Sequence, residues 1–272
     1  MLRPTMIALV SILLAVPARA QTESVVEIPS RPGVTVRGLL IKPANPVGSV
    51  VLLAGGHGNL SIGKTGAIGW GAENQLVRTR HAYAKAGFTV LTLDVAPDLK
   101  DRDAVKPRSR WSAQWASDVA AAVAHLRRMQ KQAPVHVVGT SRAALTVAQV
   151  GVQATGEGRP DALVITAGMI ADVDPATPSA ERNVGNLGRI TQPVLLYWHV
   201  QDGCAYTPAS SGPRAKALFS KAAKVDLITV RGGRAGSGDP CMANSHHGFL
   251  GIDDNVVAAV TTWLKAIKPQ TP

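Results

Sequence analysis

The stretch that decides the fold is Val135-His-Val-Val-Gly-Thr-Ser-Arg-Ala-Ala-Leu-Thr-Val-Ala148. It opens with a β-branched apolar run, Val135 to Val138, which predicts a short buried strand. A turn of small and polar residues follows, and the pattern from Ala144 to Val150 predicts a helix. The stretch therefore places Ser141 on a tight turn between a strand and a helix.

Small residues stand two positions before and two positions after this serine. The pattern G-x-S-x-G is typical of a turn that holds a nucleophilic serine in a strained backbone conformation. Gly139 fits it, and Ala143 departs from it by one methyl group. The positions are small because the strand and the helix pass close to each other there. The alternative is that Ser141 only caps the helix.

The first twenty residues have the pattern of a secretory signal peptide. Arg3 is the charged start, 6–16 is the apolar core, and Ala18-Arg-Ala20 is a small-residue cleavage site. The apolar run is too short to span a bilayer. We therefore expect cleavage after Ala20, a periplasmic or secreted protein, and no stable membrane anchor.

Charge and length narrow the class of protein further. The formal charge is +11, and residues 1–20 carry Arg3, Arg19 and no acid, so the mature chain would carry +9. The basic residues are scattered and aromatic residues make up only 4% of the chain, which argues against nucleic-acid binding. Residues 21–272 suit a single domain with a full core. The oligomeric state is not readable from the sequence.

After an N-terminal antiparallel hairpin, predicted strands and helices alternate. The predicted strands are 24–28, 34–41, 48–54, 88–95, 135–138, 162–166, 193–200 and 225–230; the predicted helices are 73–86, 111–130, 144–150, 213–222 and 255–267. This alternation is typical of a mostly parallel sheet covered by helices on both faces, an α/β fold. A lid would lie in 167–189, and it would be small.

The later strands end close to further polar residues. In such a fold the site lies beyond the carboxyl ends of the strands, and a nucleophile, acid and base follow in the chain order Ser, Asp/Glu, His. Asp202 follows one strand, and His246 and His247 precede the last helix. An imidazole would take the proton from Ser141, and a carboxylate would orient the imidazole.

Alternatives exist for the acid. Asp202 could simply begin an Asp-Gly turn. Asp226 and Asp239 are weaker candidates, because Asp226 opens a strand and Asp239 lies on the histidine loop itself. On the residues alone, His246 and His247 both remain candidates for the base.

The two cysteines, Cys204 and Cys241, flank these candidates. In an exported protein they predict one disulfide, which would tie the loop of Asp202 to the loop of His247. Two cysteines and seven dispersed histidines do not make a structural zinc pattern. The proposed chemistry requires neither a metal nor an organic cofactor.

A serine nucleophile also needs an oxyanion hole. The backbone N–H of Arg142, directly after the serine, is the expected first donor. The loop Gly55-Gly-His-Gly-Asn59 is the expected source of the second, with Gly58 or its neighbour His57 favoured. His57 could instead be a second base or a ligand, although a loop-stabilising role fits it better.

A competing motif lies in the same region. Gly58-Asn-Leu-Ser-Ile-Gly-Lys-Thr65 matches the P-loop pattern G-x-x-x-x-G-K-[ST]. The residues after it, Gly66 to Gly71, are poor helix formers, whereas a P-loop requires a helix that begins at the Lys-Thr pair. A nucleoside-triphosphatase is therefore the weaker alternative.

With these residues assembled, the chain resembles a group of exported proteobacterial α/β-hydrolases that are distantly similar to dienelactone hydrolases. The resemblance runs from about residue 48 to residue 265. The motifs that carry it are Gly55-Gly-His-Gly, Asn74-Gln-Leu-Val-Arg-Thr-Arg80, Gly87-Phe, Asp94-Val-Ala-Pro-Asp98, Gly139-Thr-Ser-Arg, Asp202-Gly-Cys204, Cys241 and Ser245-His-His-Gly-Phe249.

The resemblance implies the α/β-hydrolase fold and a Ser-His-Asp triad but no substrate. The histidine directly before Gly-Phe in that group corresponds to His247, which selects it over His246. The group generally has G-T-S-R-G at the elbow, so Ala143 is a departure. We therefore predict a serine hydrolase acting on a small acyl substrate, most readily an ester, with a catalytically silent binding protein on the same fold as the alternative.

Overall fold

The computed structural model describes residues 22–101, 104–106 and 108–269. The predicted signal peptide lies outside these residues. No helix in the described part of the chain is long and apolar enough to cross a membrane.

Within the described residues, the main sheet has eight strands. They are β1 (Glu23–Arg31), β2 (Val34–Ile41), β3 (Gly48–Leu53), β4 (Phe88–Leu93), β5 (Val135–Thr140), β6 (Ala162–Thr166), β7 (Val194–His199) and β8 (Val225–Val230). Their order across the sheet is β1-β2-β4-β3-β5-β6-β7-β8. β2 pairs antiparallel with β1 and β4, and the pairs from β4 to β8 are parallel. The predicted mostly parallel sheet with an N-terminal hairpin is confirmed.

Helices cover both faces of the sheet. They are α1 (Gln75–Arg78), α2 (Arg80–Lys85), α3 (Ala113–Met129), α4 (Ala143–Gln153), α5 (Ala180–Asn183), α6 (Gly212–Ala217) and α7 (Asp253–Lys265). One apolar cluster joins the sheet to α3 and α4, and a second joins the opposite face to α2 and α7. Two short strands, Lys100–Asp101 and Ala104–Val105, pair outside the main sheet.

Alternate residues of β5 point to opposite faces, as strand geometry requires. Val135 and Val137 pack in the α3–α4 cluster, whereas Val138 packs in the α2–α7 cluster. Because both faces are covered, every residue of β5 is buried. The strand that carries Ser141 is therefore held firmly in the centre of the sheet.

Three predicted helices differ from the observed ones. The predicted helix 73–86 is two helices, because Thr79 leaves the helical conformation (φ −94°, ψ 0°) and its hydroxyl donates to the carbonyl of Gln75 at 2.6 Å. The helix predicted from Trp111 begins at Ala113 instead, because the Ser112 hydroxyl accepts the N–H of Trp115 at 3.1 Å and caps it there.

The helix predicted over 213–222 ends at Ala217. The following residues form tight turns with i to i+3 hydrogen bonds, which bury Phe219 against the core. The lid region, 167–189, holds only α5 and one 3₁₀ turn, Leu187–Arg189. No large cap is formed by these residues.

Candidate active site

Ser141 lies at the sharp turn between β5 and α4. Its φ of +55° is in the left-handed region, which non-glycine residues adopt at an energetic cost. The turn is held by two hydrogen bonds, from the N–H of Ser141 to the carbonyl of Thr166 (2.9 Å) and from the N–H of Met169 to the carbonyl of Ser141 (3.2 Å). A residue that only caps a helix would not need this conformation.

The small residues on either side of the turn are required by packing. A Cβ atom at Gly139 would lie 2.5 Å from Cγ2 of Val147 and 3.1 Å from Cβ of Ala143. The extra methyl group of Ala143 is fully buried and fits because Gly139 presents no side chain to it. The departure from the usual glycine is therefore accommodated without opening the turn.

His247 and Asp202 lie in contact. Nδ1 of His247 is 2.9 Å from Oδ2 of Asp202, and both side chains are almost completely buried. The other oxygen of Asp202, Oδ1, accepts the N–H of Cys204 at 2.9 Å. Nε2 of His247 is buried and has no hydrogen-bond partner among the described residues.

Ser141 and His247 line the same small cavity, of about 40 Å³. Its other lining residues come from the loop after β3, the start of α1, the end of β5 and the histidine loop; they are Gly55, Gly56, Asn74, Gln75, Thr140, Cys241, Ala243 and Gly248. The chain order and the sheet order thus bring the three residues Ser141, Asp202 and His247 to one edge of the sheet.

The other acid and base candidates have structural partners. His246 stacks on His199, with ring centroids 4.2 Å apart, and its buried Nδ1 has no hydrogen-bond partner among the described residues. Asp226 accepts the indole N–H of Trp263 at 2.6 Å, and Asp239 accepts the N–H of Cys241 at 2.9 Å. None of these three contacts involves Ser141 or His247.

Thr207 is a site residue that sequence reasoning missed. Its buried hydroxyl lies 3.0 Å from Oδ2 of Asp202 and 3.0 Å from Nδ1 of His247. The hydroxyl donates to Oδ2 of Asp202. No local pattern singles out Thr207, since its position is set by the fold of the loop after β7.

The predicted disulfide joins Cys204 to Cys241. Cys204 is buried, and Cys241 forms part of the cavity wall. The bridge ties the loop that carries Asp202 to the loop that carries His247. Gly203 also approaches Pro240 across the same junction.

The glycine-rich loop after β3 divides into two parts. Gly55 and Gly56 line the cavity, and a Cβ at Gly55 would lie 3.1 Å from Cβ of Ser141. Gly58 instead lies against Arg110, whose Nη1 would be only 1.9 Å from a Cβ at that position. His57 stacks on Trp70 (ring centroids 3.7 Å apart) and accepts the N–H of Asn59 at 3.1 Å.

The charge state of His57 follows from its surroundings. Burial, together with the positive charges of Arg110 and Arg142, lowers the pKa of His57 below its usual value. A neutral ring can accept through Nδ1, as observed with Asn59. These contacts fit the loop-stabilising interpretation of His57.

Gln75 is a second residue that sequence reasoning did not assign. Its side chain is almost fully buried and lines the cavity, yet neither Oε1 nor Nε2 has a hydrogen-bond partner within the described residues. Buried amides without partners are costly. The cavity therefore offers polar groups to whatever occupies it.

The P-loop-like segment does not form a P-loop. Lys64 and Thr65 lie in a turn, not at the start of a helix. The N–H groups of Leu60 and Ile62 donate to the carboxylate of Asp94, at 2.7 and 3.0 Å, and not toward an open anion site. The carboxylate is further paired with Lys100 at 2.8 Å.

Comparisons with known proteins show similarity of structure only. No family model matches the chain, and no curated protein matches it. Among solved structures, an esterase of Pyrococcus furiosus is similar with a TM-score of 0.62 and 14% identity, over 91% of this chain and 93% of that one. A dienelactone hydrolase of Anabaena variabilis has a TM-score of 0.61 and 14% identity, over 91% and 99%.

A third structure is described as a predicted CIB-like hydrolase of Thermoplasma acidophilum. It has a TM-score of 0.58 and 16% identity, over 91% of this chain and all of that one. At such identities the likeness concerns the fold and not the reaction. Together with the strand order, these matches show that this chain has the α/β-hydrolase fold.

Proposed function

We propose that this protein is a serine hydrolase of carboxylic esters, with Ser141 as nucleophile, His247 as base and Asp202 as acid. The observation that carries the proposal is the environment of His247. Its Nδ1 is engaged by Asp202, whereas its buried Nε2 lacks a partner in the described structure and its ring lines the same cavity as Ser141. A general base requires this arrangement, with Nδ1 beside a carboxylate and Nε2 open to take a proton.

In the proposed reaction, Nε2 of His247 takes the proton from Oγ of Ser141 as the oxygen attacks the substrate carbonyl. The carboxylate of Asp202 stabilises the imidazolium that forms. The same proton then passes to the departing alcohol, which leaves an acyl-enzyme. A water molecule, deprotonated by His247, releases the acid and restores Ser141.

For the oxyanion hole we propose the N–H of Arg142 and a second N–H from Gly55–Gly56. The sequence favoured Gly58 or His57 for the second donor; we choose Gly55–Gly56 because these two residues of the loop line the cavity together with Ser141. Gly56 has a φ of +58°, a conformation that suits glycine. Removing one such donor typically costs about 10²–10³ in kcat.

Esters are the proposed substrates, with amides and lactones behind them. Amides rank lower because an alkoxide leaves more readily than an amide anion. The predicted signal peptide and the disulfide support a periplasmic or secreted location. Some solved structures that resemble this chain are described as esterases, and this analogy of fold supports ester hydrolysis as the proposed reaction.

The proposal is tested by intact-mass analysis after exposure to a fluorophosphonate probe. We expect a single adduct on the parent protein and on Ser210→Ala, an exposed-serine control, and none on Ser141→Ala. An adduct on Ser141→Ala would assign the nucleophile to another serine. A folded parent that takes no adduct would favour a catalytically silent binding protein.

A further inference from the structure

A second cavity, of about 460 Å³, is larger than the one at Ser141, and its lining includes Arg142, the next residue in the chain. The other lining residues come from the segment before α3 and from the lid region. The charged residues of this lining, besides Arg142, are Lys106, Arg108, Arg110 and Arg182 among the described residues. The cavity is large enough to hold part of a small-molecule substrate.

Among the described residues, the lining of this cavity carries five cationic side chains and no acidic one. Arg182 is neutralised by a salt bridge with Asp172. The other four, Lys106, Arg108, Arg110 and Arg142, form no salt bridge within the described part of the chain. Four cations of this lining thus have no ion-pair partner among the residues that the structure describes.

Arg110 is the most informative member because it is buried. Its side chain is only 4% exposed, its Nη2 donates to the carbonyl of Ala54 at 2.7 Å, and its Nε has no partner among the described residues. Burial and the nearby charge of Arg142 lower the pKa of Arg110 to about 9. A buried cation without a carboxylate is costly, so proteins rarely retain one without a compensating anion.

Arg110 is also held in place. Its backbone carbonyl accepts the hydroxyl of Thr146 on α4 at 2.7 Å, and its guanidinium occupies the space left by Gly58. Its contact with Ala54 ties it to the loop that carries Gly55 and Gly56. The guanidinium is therefore fixed between the helix that starts at the elbow and the glycine loop of the proposed oxyanion hole.

We propose that the substrate is an ester that carries a carboxylate, which binds between Arg110 and Arg142 while its ester carbonyl lies at Ser141. The inference rests on the proposed function and adds the class of substrate. Guanidinium groups suit this role because their planar N–H donors match the two oxygens of a carboxylate. The carboxylate can belong to the acyl part or to the alcohol part.

Two matched pairs of substrates test the inference and show whether the carboxylate belongs to the acyl part or to the alcohol part. On the acyl side, 4-nitrophenyl hydrogen glutarate is compared with its uncharged methyl ester. On the alcohol side, 4-acetoxybenzoate is compared with its methyl ester. We expect kcat/KM to favour the anionic member of one pair at least tenfold, and the preference to fall as ionic strength rises.

The variants Arg110→Met and Arg142→Met should each reduce this preference to threefold or less. The control is Arg128→Met, which removes the same charge from an exposed position on α3 and should retain the preference. If Arg110→Met does not fold, Arg142→Met and the parent's salt dependence still decide the matter.

Equal hydrolysis of both members of both pairs, with normal probe labelling of Ser141, would overturn the substrate class and leave the proposed function standing. A preference that survives both arginine substitutions would also overturn it. No hydrolysis and no labelling would instead refute the proposed function itself and the inference that rests on it.

Discussion

Removal of the Cys204–Cys241 disulfide should impair the site more than it impairs the fold. The bridge closes a loop of 37 residues in sequence separation. The chain-entropy relation assigns such a loop about 4 kcal/mol of the free energy of unfolding. Because a domain is typically stable by about 5–15 kcal/mol, we expect the double variant Cys204→Ala/Cys241→Ala to remain folded, with a melting temperature lower by about 10 °C.

The effect on the site follows from what the bridge connects. The N–H of Cys204 donates to Oδ1 of Asp202, and Cys241 forms part of the wall of the Ser141 cavity. Loosening this junction lets the carboxylate and His247 move apart, and a displacement of about 1 Å costs roughly 10²-fold in rate. We therefore expect at least a tenfold lower rate of fluorophosphonate labelling per folded molecule.

The assay combines urea unfolding, which gives the folded fraction, with the labelling rate followed by intact mass. Leu126→Ala in α3 is a stability-matched control, since truncation of a buried leucine costs about 2–5 kcal/mol and Leu126 is buried in the cluster on the α3 face. If both variants lose labelling only in proportion to their unfolded fraction, the disulfide stabilises the fold as a whole without a separate effect on the site, and the reasoning is refuted.

Three further predictions concern residues around the site and the strand beneath it. Thr207→Val should lower kcat about tenfold or more with the fold retained, because a hydrogen bond to a charged group contributes about 1.5–3 kcal/mol and the Thr207 hydroxyl donates to Asp202; steady-state ester hydrolysis measures it. Gly139→Ala should lower the free energy of unfolding by about 1–3 kcal/mol, because its Cβ would lie 2.5 Å from Val147; urea unfolding measures it. His136 is fully buried, and burial lowers its pKa to about 3. Below about pH 6.5 the histidine of the unfolded chain binds a proton, whereas that of the folded chain stays neutral until about pH 3. The free energy of unfolding should therefore fall as the pH is lowered from about 6.5 to about 3, and denaturant midpoints across this range measure it.

Each of these predictions has a control. An unchanged kcat in Thr207→Val would show that the Thr207 hydroxyl does not contribute to catalysis. Val147→Ala should partly restore stability to the Gly139→Ala variant, and no restoration would mean that the clash lies elsewhere. His136→Leu should reduce the loss of stability at acid pH. If the loss is the same in this variant, other titrating groups cause it.

The sequence by itself predicted the order of elements and the candidate site positions Ser141, Asp202 and His247. Period-two and β-branched runs located the strands, because a sheet covered on both faces needs continuous apolar segments. Small residues at 139 and 143 located the elbow, since the close approach of strand and helix excludes larger side chains there. The predicted signal peptide led to the prediction of the disulfide, because two cysteines in an oxidising compartment would pair.

Only the tertiary structure decided what depends on contacts between distant segments. The sequence did not indicate that Thr79 divides a helix, because the break depends on a local hydroxyl-to-carbonyl bond that competes with helix propensity. It did not indicate that Thr207 contacts Asp202, or that Gln75 enters the cavity without a partner. On the residues alone it did not separate His246 from His247, since adjacent side chains in a loop point in directions that packing sets.

The cationic cavity shows most clearly the difference between what the sequence indicates and what the tertiary structure adds. The sequence displays a scattered positive charge, which by itself is a statement about solubility and long-range attraction. The fold brings Arg110 and Arg142 together beside Ser141, buries the first of them, and leaves both without a salt bridge in the described chain. Composition determined the sign of the charge, and the tertiary structure decided where the charged side chains lie, because burial depends on which segments of the chain pack against one another.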